Sequence, residues 1–242
     1  MDHEGCKKGF DECAGACDTP HTGGVRIETP RLILREIEPA DEARMYEMTS
    51  KPEMRIFSFE DTPDANGKTV NKHFDGTKET FEEFMAICRR TRTPDPVTGK
   101  RDKIMMVIER KDTNEVVGHV SIERTHYIPG DNYEVNHFID AEHQRFGFGR
   151  EALAGATYHG FEKMGLFAYT AVIRPDNAGS QKSARIQGYR KIAEVELGPD
   201  DKREKYDLFI LVKQDFYDWL RSEKRDYVIG FDRGAPPQTP AP

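Results

Sequence analysis

The chain has 242 residues, of which 36% are hydrophobic and 33% charged, with a formal net charge of −7. That length suits one sizeable domain with tails, and the hydrophobic share can supply a core beneath a very polar surface. The acidic balance disfavours nonspecific nucleic-acid binding, which needs Lys and Arg to neutralise phosphates, and would draw a cationic substrate instead. No apolar run is long enough to suggest a membrane partner, and the polar opening, Met1 to Cys6, is unlike a secretory signal. A cytoplasmic protein is therefore expected.

Residues 1–24 read as a flexible leader carrying Cys6, Cys13 and Cys17 between His3 and His21. Their spacing matches no usual zinc pattern, and with Cys88 far away they make no disulfide framework, so no metal is expected. The folded domain spans 25–222. It opens with a strand over Arg31 to Arg35, then a helix from about Ala40 to Thr49. The polar stretch from Ser58 to Lys78 contains Glu60, Asp61 and Asp64, which could hold an ammonium group. A second helix is expected from about Thr77 to Arg90, then a polar stretch from Thr91 to Lys103. A hairpin of Ile104 to Arg110 with Val116 to Glu123 comes next, with Gly118 marking a close approach or a bulge. Arg89, Arg90 and Arg92 read as a solvated face.

Tyr133 to Asp140 has the composition of a mostly buried strand. A helix follows from Phe148, with Leu153, Ala156, Thr157, Phe161 and Met164 at helical spacing and Gly165 as its stop. Between them lies Gln144-Arg145-Phe146-Gly147-Phe148-Gly149. Glycines there permit dihedrals that a Cβ forbids, and they let backbone N–H groups approach phosphate oxygens at a helix N-terminus. Arg145 and Arg150 add full charges. The loop is neither a Walker loop nor a three-glycine dinucleotide fingerprint. A strand over Phe167 to Ile173, a short helix behind Asn177, strands over Arg190 to Glu196 and Tyr206 to Val212, and a closing helix complete the domain. Residues 223–242 read as a flexible tail, and no repeat is visible. The mixed order indicates an α+β sheet flanked by helices.

Several of these segments, in this order, resemble the GNAT superfamily of acetyl-CoA-dependent N-acetyltransferases. The loop fits that family's Gln/Arg-x-x-Gly-x-Gly/Ala pattern, and Asn177-Ala178-Gly179-Ser180 followed by Gly188-Tyr189 fits its Asn-x-x-Ser and Gly-Phe/Tyr. Thr29-Pro30-Arg31-Leu32-Ile33-Leu34-Arg35, Pro39-Ala40-Asp41, and Tyr206 to Phe209 with Trp219 resemble the branch of ribosomal-protein alanine N-acetyltransferases, the RimJ/RimL-like proteins. The resemblance covers roughly Val25 to Leu220. It implies a mixed, mostly antiparallel sheet of about six to seven strands, splayed into a V at the CoA site.

It also implies transfer of an acetyl group from acetyl-CoA to a primary amine, of a small molecule or a protein N-terminus, by direct attack. Such transfer needs a deprotonated amine, a stabilised oxyanion and an expelled thiol. Glu134 stands where this branch often carries an acidic residue, in a Glu-x-Gly-Tyr pattern that here reads Glu134-Val135-Asn136-His137; His137 or a water is the rival base. Phe138 and Ile139 are the implied backbone contacts of thioester and pantetheine. Gln144, Arg145, Phe146, Gly147, Phe148, Gly149 and Arg150 form the implied pyrophosphate cradle, and Asn177 the contact to the pantetheine arm. Many relatives carry a tyrosine seven residues after the asparagine; Ala184 stands there, Ser180 and Ser183 are the available hydroxyls, and Ser180 is the implied candidate acid. A different reading remains open, in which the domain senses acyl-CoA without turnover.

Overall fold

The computed structural model describes residues 24–51, 78–90, 92–94, 96, 99, 101–125, 132–198 and 203–222. Strand β1 (Arg26–Glu28) and strand β2 (Leu32–Glu36) form a tight pair. A 3-10 turn (Pro39–Asp41) then runs into helix α1 (Glu42–Ser50), and α2 spans Lys78–Arg90. Strands β3 (Lys103–Arg110), β4 (Val116–Thr125) and β5 (Asn132–Ile139) follow as a meander. Helix α3 (Phe148–Glu162), β6 (Ala168–Ile173), α4 (Ala178–Ile186), β7 (Arg190–Leu197), β8 (Glu204–Val212) and α5 (Lys213–Ser222) complete the described chain. The described strands form one eight-stranded sheet in the order β1-β2-β3-β4-β5-β6-β8-β7.

Every neighbouring pair is antiparallel except β5 and β6. Alternation of side chains along the strands, broken at the bulges, divides the core in two. Ile104, Met106 and Ile108 of β3 join Leu34, Val120, Ala152, Phe161, Tyr169 and Phe216 beneath α3 and α5. Met105 and Val107 of the same strand turn the other way, toward Met45 and Met48 of α1 and Phe81 and Met85 of α2. Burying each such side chain contributes about 1.5–3 kcal/mol relative to exposure. Phe161 binds the first layer together, with ring centroids 5.1 Å from Tyr169 and 5.5 Å from Phe216.

Two sequence segments that looked independent prove to be one device. Arg35 of β2 donates from both guanidinium ends to Asp41, at 2.7 and 2.9 Å, and from Nε to Glu109 at 2.8 Å. The Asp41 carboxylate also accepts from the Glu38 backbone at 2.7 Å. The fork geometry of Arg fixes the entry to α1 against the sheet, which a lysine could not do.

The expected elements appear with shifted ends, and the expected six to seven strands become eight. The extra one is β1, three residues long with its ends exposed, too short for a periodic signal. The helix expected from Ala40 begins as a 3-10 turn, with Pro39 at its start, where a missing N–H costs nothing. Expectations placed on 1–23, 52–77 and 223–242, including the cysteine cluster and Glu60, Asp61 and Asp64, lie outside the described residues.

Gly118 is required by a close approach. A Cβ there would overlap the Phe138 carbonyl oxygen on β5, and the β3–β4 ladder shifts register between Ile108 and Glu109 just opposite. Gly118→Ala is therefore expected to cost on the order of 2 kcal/mol in urea unfolding. An unchanged midpoint would mean that β4 and β5 are further apart than described.

Candidate active site

The end of β5 is pinned before the loop begins. Asp140 is fully buried and accepts from Arg44 Nη2 and Lys51 Nζ, each at 2.7 Å. Burial alone would raise its pKa, but Lys51 and Arg44 more than offset that and hold it below the usual carboxylate range. These contacts fasten both ends of α1 to the strand. Within the loop, Gln144 Nε2 donates to the Ile139 carbonyl at 3.0 Å. Arg145 (φ 69°) and Gly147 (φ 84°) both take left-handed backbone conformations, and Gly147 is the residue from which α3 starts.

Glu151, in the first turn of α3 and fully buried, holds that start in place. It accepts from Thr29 Oγ1 at 2.6 Å, from the Arg31 backbone N–H at 2.8 Å and from Arg31 Nε at 2.6 Å. Arg31 also donates to the Phe146 carbonyl at 3.0 Å, and its guanidinium lies 4.8 Å from the Phe148 ring centre. The β1–β2 turn thus clamps the glycine loop. Gln144, Arg145, Phe146 and Gly147 are exposed, Gly149 and Arg150 are half-buried, and Phe148 is buried. The first intrahelical bond of α3 runs from Glu151 N to Gly147 O. The amides of Phe148, Gly149 and Arg150 precede that bond and stand at the helix N-terminus, where an anion finds its donors.

Gly149 does more than lengthen the loop. A Cβ there would sit 2.7 Å from His137 Cδ2 and Nε2, so any side chain at this position would require the His137 ring to swing aside.

β5 and β6 pair in register only at Tyr133 and Tyr169, after which they diverge. β5 keeps its full antiparallel ladder with β4. Asp140 N donates to Val117 O, and alternation then turns the N–H groups of Asn136 and Phe138 toward β4. Those of Val135, His137 and Ile139 turn toward the split. Of the two residues named from the resemblance, Ile139 presents its backbone donor to the cleft. Phe138 contributes its ring instead, stacked on His119 with centroids 5.1 Å apart. Composition carries no trace of this parity.

The same alternation separates the two rival bases. Glu134, Asn136 and Phe138 project toward the α1–α2 layer, whereas His137 projects toward the start of α3. Glu134 is 8% exposed and accepts from Asn136 Nδ2 at 2.9 Å. Burial raises its carboxyl pKa to about 7, against a smaller lowering from the Asn136 hydrogen bond, with Glu123 adding to the rise. Surrounding protein lowers the His137 imidazole to about 4, although the residue is solvent-exposed. Water on its open side works against that lowering, and the ring is neutral at pH 7 in either case.

On the far side of the split, Asn177 caps α4 by accepting from Ser180 N–H at 3.0 Å. Ser180 is half-buried in the first turn. Ala184 is buried, and the Ser183 hydroxyl accepts from Gln187 Nε2 at 3.0 Å. Gly188, at φ 91°, closes the helix. Among the described residues no cluster of three or more His, Cys, Asp or Glu could hold a metal ion, and no helix is long and apolar enough to cross a membrane.

Residues 31–190 match the family described as Acetyltransferase (GNAT) domain. The chain belongs to that family, and is an acyltransferase. It is 27% identical over 169 residues to the uncharacterized N-acetyltransferase YoaA of Bacillus subtilis (strain 168), covering 68% of this chain and 82% of that protein. Solved structures share the fold. Mycobacterium smegmatis RimJ in complex with CoA-disulfide superimposes with a TM-score of 0.57 at 19% identity, covering 79% of this chain and 87% of that one. The ribosomal-protein-S5-alanine acetyltransferase of Vibrio fischeri gives 0.54 at 19% identity, covering 79% and 98%.

The raised pKa of Glu134 has a sign that stability can report. The folded state holds the proton more tightly than the unfolded chain, so this group's contribution is fully present below pH 4.5 and is lost as pH rises through about 7. Glu134→Gln should therefore gain stability over the unaltered protein between those values, by on the order of 3 kcal/mol at pH 8. Chemical denaturation at pH 4.5 and 8 measures it, and an equal difference at both would mean an ordinary, solvated carboxylate.

Proposed function

We propose that this chain is an acetyl-CoA-dependent N-acetyltransferase that acetylates a primary amine, of a protein N-terminus or of a small molecule, by direct attack in a ternary complex. One observation carries the reading: β5 directs amide donors into the split toward β6 and, from the intervening positions, directs the buried Glu134 toward the α1–α2 side. A thioester in the split and an amine arriving from the other side would meet across one strand.

The residues fit acetyl-CoA as co-substrate. The amides of Phe148, Gly149 and Arg150 with Gly147 would take the pyrophosphate, assisted by the Arg145 and Arg150 charges. Gln144 and Phe146 line the exposed side of that cradle, and Asn177 would bond the pantetheine arm with the amide end its cap leaves over. The co-substrate supplies a thioester, an acyl group activated toward amines. The N–H groups of His137 and Ile139 would receive the carbonyl oxygen as negative charge builds on it. Glu134 would take the ammonium proton; a carboxyl with pKa near 7 is matched to that task at neutral pH. As the nitrogen–carbon bond forms, the carbon–sulfur bond breaks. A thiol with pKa about 8.5 departs tolerably as thiolate, so the Ser180 hydroxyl would assist without being indispensable.

Incubation of the full chain with acetyl-CoA and a panel of amines should release free thiol. Glu134→Gln should slow turnover by roughly 10²–10⁴-fold while leaving CoA affinity unchanged. Gly147→Glu, which puts a Cβ and a negative charge into the left-handed position, should abolish CoA binding. Tight acyl-CoA binding without thiol release across the panel would favour a sensor, the reading to which Ala184 lends itself. Unchanged CoA affinity in Gly147→Glu would defeat the cradle.

A further inference from the structure

Three adjacent strands carry charged side chains in one row on the α1–α2 face. Lys103 of β3 stands directly opposite Glu123 of β4, and Glu123 directly opposite Glu134 of β5. The Lys103 ammonium lies 3.0 Å from Glu123 Oε1, and the hydroxyl of the buried Ser121 donates to that same oxygen. At the far end of the row, Asn136 holds Glu134 Oε1. Ser121 and Asn136 are themselves cross-strand partners. Cross-strand neighbours on one face have Cβ atoms about 4.5–5.5 Å apart, so two carboxylates and one ammonium share a poorly hydrated strip.

We infer that Lys103 and Glu123 are positioning residues whose opposed charges, acting across the strands on the buried and Asn136-held carboxyl, tune the proton affinity of Glu134. The inference rests on the proposed role of Glu134 as base. In the row, Glu123 disfavours a second negative charge at Glu134 and Lys103 favours it, and their mutual ion pair keeps each from acting at full strength. Other groups face the row too. The Cys88 thiol of α2 borders Lys103 and Glu123, and burial pushes it up to about 11, so it stays neutral. The Tyr189 phenol, ahead of β7, is raised by burial and by the Glu134 charge and stays protonated. Arg89 and Arg92 act on Cys88 from beyond. Among these, only Lys103 and Glu123 bring full charges that the Glu134 carboxyl feels.

The arrangement makes a prediction that simple loosening of the cleft cannot imitate. Glu123→Gln removes a repelling anion and frees Lys103, so the Glu134 midpoint should fall. Lys103→Met leaves Glu123 uncompensated, so the midpoint should rise. Each shift is expected to be about one pH unit. Structural loosening would let water in and lower the midpoint in both variants.

The test is carboxyl-carbon NMR titration of the full chain labelled at glutamate, with Glu134 assigned by its disappearance in Glu134→Gln. The pH profile of kcat/KM is recorded alongside. Opposite midpoint shifts in Glu123→Gln and Lys103→Met, with return to the native midpoint in Lys103→Arg, are the expected result. The acid limb of the profile should follow each shift, a change of about tenfold in rate below the midpoint. Shifts in the same direction, or none, would overturn the inference. Opposite NMR shifts without movement of the rate profile would support the row and overturn Glu134 as base. Should Lys103→Met fold poorly, Lys103→Gln carries the same expectation.

Discussion

The parallel contact between β5 and β6 is confined to one register pair, Tyr133 with Tyr169, and the remaining architecture follows from that restriction. A parallel pair that continued would consume the amides of Val135, His137 and Ile139 in a ladder. Because it stops, β5 is held from one side only, and its other edge faces a widening cleft. The buried tyrosines at the apex stabilise the point of divergence, while the interactions further out keep the arms apart. Asp140 ties the outer end of β5 to α1 through Arg44 and Lys51. Glu151 ties the start of α3 to the β1–β2 turn.

Those two buried carboxylates differ in kind from Glu134. Each is surrounded by strong donors, so its ionised form is compensated, and removing its partners would leave a buried charge unpaired. Glu134 has one neutral amide donor, a neighbouring carboxylate, and a lysine that is already paired with that carboxylate. Its charge is undercompensated, which makes it a poor structural anchor and a suitable proton acceptor. The molecule thus uses buried acids in two ways, and the number and charge of the donors around each decides which. The cost of an undercompensated carboxylate is borne by the packed layers on either side, where Tyr133, Tyr169 and Phe209 lie almost wholly inside.

Much of the scaffold was legible from the sequence because its elements are long and periodic. The strand–loop–helix around Gly147, the N-cap at Asn177, the stop at Gly188 and the close approach at Gly118 each follow from a local requirement on one residue. The family resemblance also holds, through segments kept in order from Arg31 to Tyr189. Other features are relations between distant segments, and no window contains them. The Arg35–Asp41 fork, the Glu151 clamp on Arg31 and the Lys103–Glu123–Glu134 row appear only when strands are set in register. The division of labour along β5 is of this type. Whether an amide faces the ladder or the cleft depends on parity, which a shift of one residue would invert. Glu134 and His137, three apart, were rivals in the sequence and stand on opposite faces in the fold. Acceptor chemistry is least legible, since a carboxylate that takes a proton from one amine takes it from many.

In the proposed ternary complex, thioester and acceptor meet across β5, with the phosphates held at the start of α3. A crystal structure of the full chain with bound CoA tests that arrangement most directly. The pyrophosphate is expected against the amides of Gly147 to Arg150, the pantetheine along the open edge of β5 between His137 and Asn177, and the sulfur beside the split with Glu134 on the acceptor side. CoA bound with its pyrophosphate away from α3, or with its sulfur remote from β5, would contradict it.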